Sequence, residues 1–307
     1  MKKTMSACLA ALLLCLAAVL AAAEGSEAGQ MGVTLYFRYA DTQLLGAERA
    51  SLDIRREETV ATLLVEKLIA GPGVAHDRLS GLFPQGTRLI SATAEGETAF
   101  ITLSSGFLGK PDGAPSDWEE KESWRREAAL RRRMAFQSIV LALTDEGRYQ
   151  RVQLYIADSD DEIPQRIALT WFDPKETDPD LMLAACGRDE TLALTPARTL
   201  ETVLEAWKRQ NWKRVYAFLS RNLYDSPASE SEFVRRMADV DSAPLDWQTT
   251  EGTVSLDGQA ATVILDAELR MRDGMDEQIA RRAVPLRRED DNWTIAPSAL
   301  LDLMVRD

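Results

Sequence analysis

The chain has very little cysteine and histidine: three Cys and one His in 307 residues. Cys8 and Cys15 fall in an N-terminal apolar run, which leaves Cys186 alone in the body of the protein. If that run is removed, no intramolecular disulfide can form, and the fold must be held by its cores. Cys186 has two active readings, pairing between chains or acting as a nucleophile, and one passive reading as a packed thiol. The passive reading is favoured because only His76 exists to activate it. Zinc needs three or four His, Cys or carboxylate ligands, and His76 beside Asp77 does not supply them.

Positive charge is also short. The formal net charge is −13. A general nucleic-acid binder needs clustered cations to displace counterions, so that class is excluded. Broad binding to anionic lipid is disfavoured for the same reason. Beyond the first 23 residues no segment is apolar and long enough to span a bilayer.

The N-terminus is a separate region. Lys2 and Lys3 precede an uncharged Leu/Ala run from Ala7 to Ala23, and Ala21-Ala22-Ala23 meets Glu24. This order predicts a signal peptide over 1–23, cleaved before Glu24. The run is about 17 residues, at the lower edge for a membrane helix, so a retained anchor stays open as the alternative. Leu13-Leu14 before Cys15 is a poor site for lipid attachment. The expected location is extracytoplasmic, either released or tethered to the outer face of the cytoplasmic membrane.

The remaining chain predicts two α+β domains joined by a linker over 173–194. In the first, 33–172, Val33–Tyr39 and 48–55 read as strands. Val60, Leu63, Leu64 and Leu68 mark one helix face, stopped by Gly71-Pro72-Gly73. Strands are expected at 88–94 and 98–104, then a long helix over 118–144 carrying Phe136, Ile139, Val140 and Leu143. Strands at 152–156 and 166–172 follow. This order predicts one sheet with two helices. In the second domain, 195–305, Thr195-Pro196 opens a helix with Leu200, Val203, Leu204 and Trp207 on one face. Two shorter helices follow, then four strands at 246–256, 260–271, 279–288 and 291–296.

The first domain resembles the GerMN domain family of spore-germination and sporulation proteins. The resemblance is carried by Leu35-Tyr36-Phe37, Leu68-Ile69-Ala70-Gly71-Pro72, Phe83-Pro84-Gln85-Gly86-Thr87-Arg88-Leu89, Ala99–Ser104 and Val152–Ile156. It implies a fold similar to ring-building-motif domains, no catalytic residues, and an envelope protein that docks other proteins. The family's namesake resembles a tandem of two such domains. Only one copy is visible here, so a sporulation-channel role does not follow. The second domain resembles the NTF2-like superfamily through Ala206–Tyr216, Leu219-Ser220 and Trp293-Thr294-Ile295. That superfamily contains both binders and enzymes.

Few residues of the sequence fall in patterns that carry chemistry. Asp158-Ser159-Asp160-Asp161-Glu162 lacks the Gly and Glu of an EF-hand loop, with Ile163 and Leu169 in their places. No G-x-S-x-G occurs. Asp239 and Asp241, with Tyr216 and Tyr224, form a carboxylate pair of undiagnostic spacing. No catalytic, cofactor or metal residues are therefore assigned. Two constellations stand out. Arg125, Arg132 and Arg133 share part of a helix face, either as a patch for an acidic partner or cell-wall polymer or as a solvated face paired to nearby Glu at i, i+4. Trp207, Trp212 and Tyr216 read as helix-core positions or as the wall of a ligand pocket. The combined reading is a non-enzymatic envelope protein that docks protein partners or copies of itself, with the resemblance implying a link to sporulation or germination. The alternative is a ligand-binding or enzymatic protein acting through the C-terminal cone.

Overall fold

The computed structural model describes residues 29–304, except 56, 57, 146, 225, 228, 241 and 272. The signal segment 1–23 and Asp241 therefore lie outside the described residues. The chain is α+β throughout.

The N-terminal half begins with a long hairpin, β1 (Gly29–Tyr39) and β2 (Leu45–Ile54), paired antiparallel from Gly29↔Ile54 to Arg38↔Leu45. A two-residue strand, β3 (Leu79–Ser80), pairs with the other side of β1. Helix α1 (Val60–Ala70) is capped by the Thr59 side chain, which accepts from Thr62 N, and ends at Gly71. Its buried residues are Ala61, Leu64, Val65 and Leu68. The apolar stripe is thus turned slightly from the expected one, leaving Val60 and Leu63 half-buried at the core's margin.

β4 (Leu89–Glu95) and β5 (Thr98–Leu103) form a second hairpin. The chain then crosses through α2 (Glu122–Thr144) to β6 (Arg151–Ile156), which pairs parallel with β5. A parallel neighbour requires such a crossover, and a long helix supplies it. β7 (Gln165–Arg166) closes the order β4-β5-β6-β7. The half therefore holds two sheets where the sequence pattern predicts one. The strand expected over 166–172 shortens to two residues, because the backbone turns into a 3₁₀ helix at Leu169–Trp171.

The segment 173–194, expected as a linker, is docked. Cys186 and Val152 exchange both backbone hydrogen bonds, at 2.8 and 2.9 Å, and Leu183 N donates to Ile167 O at 2.8 Å. Leu194 N donates to Leu45 O at 2.9 Å. Sheet margins carry backbone groups that need partners, and this segment supplies them.

In the C-terminal half, α3 (Pro196–Lys208) is capped by Thr195 with Pro196 in its first turn, as the sequence predicts. Two short helices follow, α4 (Trp212–Ala217) and α5 (Glu230–Met237). Four antiparallel strands, β8 (Ala243–Val254), β9 (Ala260–Arg270), β10 (Asp276–Glu289) and β11 (Asn292–Ile295), lie in the order β11-β10-β9-β8. Along β9, Ala261, Val263, Leu265, Ala267 and Leu269 are buried, the alternation of a sheet with one covered face. α3 lies against β8, β9 and β11. A final helix, α6 (Pro297–Met304), buries Leu300, Leu303 and Met304. The sequence pattern predicts no element there.

The two halves share one apolar core. The Tyr39 and Phe218 rings meet at 5.1 Å, and Tyr39 Oη donates to Ala217 O at 3.2 Å.

Candidate docking groove

The site is built where α2 begins. A 3₁₀ turn at Trp118–Glu120 leads into the helix, and the 3₁₀ turn at Leu169–Trp171 lies alongside. Between them is a groove of about 840 Å³. Its walls include Trp118, Ala129, Arg132 and Trp171, and its rim carries Arg125, Arg126 and Lys175 with Glu119, Glu122 and Glu176.

Arg132 is the centre of this arrangement. It is 5% exposed. Its guanidinium carbon lies 4.8 Å from the Trp171 ring centroid and 5.6 Å from that of Trp118. Nη2 donates to Leu108 O at 2.7 Å and to Gly109 O at 3.3 Å, and Nη1 to Trp171 O at 3.5 Å. Nε is buried without a hydrogen-bond partner. Among the described residues no carboxylate forms an ion pair with Arg132. Burial pushes the guanidinium down from its ordinary value, opposed only by the field of Glu119. A buried cation is normally paired. Here the faces of two tryptophans do part of that work, an interaction worth about 0.5–2 kcal/mol per ring.

The structure therefore divides the predicted arginine patch. Arg125 and Arg132 meet in the groove, whereas Arg133 is exposed and is not among the groove residues. Two other arginines form the expected i, i+4 pairs: Arg126 with Glu122 on the exposed face, and Arg131 with the half-buried Glu127 at 2.8 Å. Arg132 escapes that pattern because it sits four residues after Ala128 and four before Phe136, on the helix's buried stripe. That spacing was a usable signal. The tryptophans were not legible as a pair, since Trp118 and Trp171 are brought together only by the fold.

The C-terminal aromatics are packed. Trp207 is fully buried, and its Nε1 donates to Ser242 O at 2.7 Å. Trp212 is buried, and the half-buried Tyr216 ring lies 5.9 Å from the Phe233 ring and 5.7 Å from the Arg221 guanidinium carbon. They fill the core instead of lining an open pocket. Asp239 has no described partner carboxylate, and Tyr224 is fully exposed. Among the described residues no cluster of three metal-ligating side chains occurs, and no helix is long and apolar enough to cross a membrane.

A family model described as Germane, sporulation and spore germination, matches residues 34–162. Residues 34–162 are thus similar to the Germane domain. Solved structures similar to the chain include the tandem GerMN domains of the sporulation protein GerM from Bacillus subtilis, at 16% identity and a TM-score of 0.30, covering 44% of each chain. The chain thus spans less than half the length of that tandem structure. The first GerMN domain of the same protein matches at 18% identity and a TM-score of 0.28, over 42% of this chain and 84% of that one. A Clostridium perfringens protein named as a lipoprotein matches at 18% and 0.26, over 44% of this chain and 80% of that one. No curated protein sequence matches. The Germane match includes Trp118 through Arg132 and ends before Trp171, so one wall of the groove comes from sequence outside it.

Proposed function

We propose that this chain is a non-enzymatic, extracytoplasmic envelope protein that docks a protein partner through the groove at the start of α2. The groove itself carries the reading. Tryptophan and arginine dominate the energetics of protein interfaces, and here they converge in one concave site. What the groove offers is contact area and charge: two indole faces and a guanidinium, ringed by side chains of both signs.

Export rests on the predicted 1–23 signal, and the sporulation or germination context rests on the Germane family description. The C-terminal half, read as an NTF2-like module, has the role of a support. Its filled core around Trp207 favours that over the ligand-binding alternative.

A photo-crosslinking residue placed at the exposed rim position Lys175 tests the docking role in cells. A discrete protein adduct is expected, and it should disappear when Trp171→Ala is added. No adduct at 175, or one indifferent to Trp171→Ala, would remove the groove as the docking site.

A further inference from the structure

We propose that the groove receives a single carboxylate, an Asp or Glu side chain of a partner peptide, seated beside Arg132 and flanked by apolar residues that rest on Trp171. This names the occupant of the docking site and rests on the docking reading.

The first argument is the state of Arg132. A guanidinium carries five N–H donors. Three contacts go to the carbonyls of Leu108, Gly109 and Trp171, and Nε has none. Arg132 is charged, 5% exposed and without an ion-paired carboxylate among the described residues. Unpaired buried polar groups in native structures call for an explanation, and a carboxylate arriving in the groove supplies the missing counter-charge. The surrounding indole walls lower the local dielectric, so the attraction exceeds that of a surface pair.

The second argument is the rim, which decides the kind of anion. Arg126 is already paired with Glu122, and Arg125 forms no ion pair among the described residues. Glu119, Glu122 and Glu176 stand around the same opening. A polymer with repeated negative charge meets these three carboxylates as it enters. An isolated acid brings one charge past them where a polymer brings many, and the backbone N–H groups beside it give the rim glutamates donors. The third argument is Trp171, 38% exposed next to exposed Pro174. Together they make an apolar shelf at the mouth, where a residue adjoining the acid can bury its side chain.

The test uses the mature chain on paired arrays of octapeptides, one with a fixed central Glu and varied flanks, the other identical with Gln. At least tenfold stronger retention on Glu peptides is expected, concentrated on those with apolar flanks. Because Arg132 ties two turns together and its variants can fail to fold, Trp171→Ala and Arg125→Glu serve as rim variants. Both are expected to lose the preference, Arg125→Glu with an unchanged thermal midpoint and Trp171→Ala with a fall of a few degrees, the loss of one ring over Arg132. Equal retention on Glu and Gln arrays overturns the inference. So does retention that survives both rim variants, or stronger competition by poly(glycerol phosphate) than by a soluble Glu peptide. An adduct at position 175 in cells without Glu preference on the arrays would overturn the carboxylate while leaving docking in place. Failure of both would remove the two together.

Discussion

The Asn292 side chain closes both hydrogen bonds of Ala47: Oδ1 accepts from Ala47 N at 2.7 Å, and Nδ2 donates to Ala47 O at 2.9 Å. A side-chain amide here does what a paired strand would do. β2 is an outer strand of its sheet, and Ala47 is where the β10–β11 turn of the other half covers it. Arg49 N extends the contact by donating to Asp291 Oδ2 at 2.9 Å. Asn292 is 4% exposed, and its loss removes the partners of both half-buried backbone groups of Ala47. Asn292→Ala should destabilise the chain by about 1–3 kcal/mol, since each hydrogen bond contributes about 0.5–1.5 kcal/mol net. Chemical denaturation checks this. A change within 0.5 kcal/mol would mean that the halves are held elsewhere.

Gly46, beside this clamp, has no room for a side chain. A Cβ there would lie 2.5 Å from Asn292 Oδ1 and 2.8 Å from the side chains of both Leu79 and Tyr39. Gly46→Ala should cost about 1–3 kcal/mol through overpacking. It should cost less in an Asn292→Ala background, because one of the three obstacles is gone. A double-mutant cycle measures the coupling, and strict additivity would contradict the packing account.

The helix α3 with its Thr195 cap, the β9 alternation and the β4–β5 turn were legible because each is a local pattern. The docked course of 173–194 was not. It has no period of its own, and its conformation answers to hydrogen-bond needs of β6 and β2, which lie elsewhere in the chain. α6 was missed for a related reason: its few apolar residues matter through Leu300, Leu303 and Met304 packing onto the core. At the site, charge suggested a wet face for Arg132, whereas its position on the stripe of Ala128 and Phe136 placed it inside.

Tyr36 gives a pH dependence. Its hydroxyl donates to Asp145 Oδ1 at 3.2 Å, and burial, with the Asp145 charge, pushes its pKa up to about 12 from the ordinary 10. The folded chain therefore keeps a proton that the unfolded chain releases above pH 10. The stabilisation is complete below pH 10 and is lost as the pH rises toward 12, about 2–3 kcal/mol in all. Tyr36→Phe should flatten the fall in thermal midpoint across this window. Some slope remains, because burial also raises the pKa of Tyr39. Parallel curves for the two proteins would show that Tyr36 does not carry the effect.

Trp207 tests whether the C-terminal core is filled. Its ring is fully buried on α3, and its N–H is satisfied by Ser242 O, while Ser242 Oγ donates to Met304 O at 2.8 Å on α6. One side chain thus joins the first and last helices of that half through a single residue. Trp207→Ala should cost about 3–5 kcal/mol, combining lost transfer energy with a cavity. Trp207→Phe should cost less, because it retains much of the ring while stranding the Ser242 carbonyl. If Trp207 were the wall of a working pocket, its truncation would enlarge a space that already exists, and the loss would be small. A value for Trp207→Ala below about 1 kcal/mol in reversible denaturation would therefore revive the pocket reading, and one in the range given by core truncations would retire it.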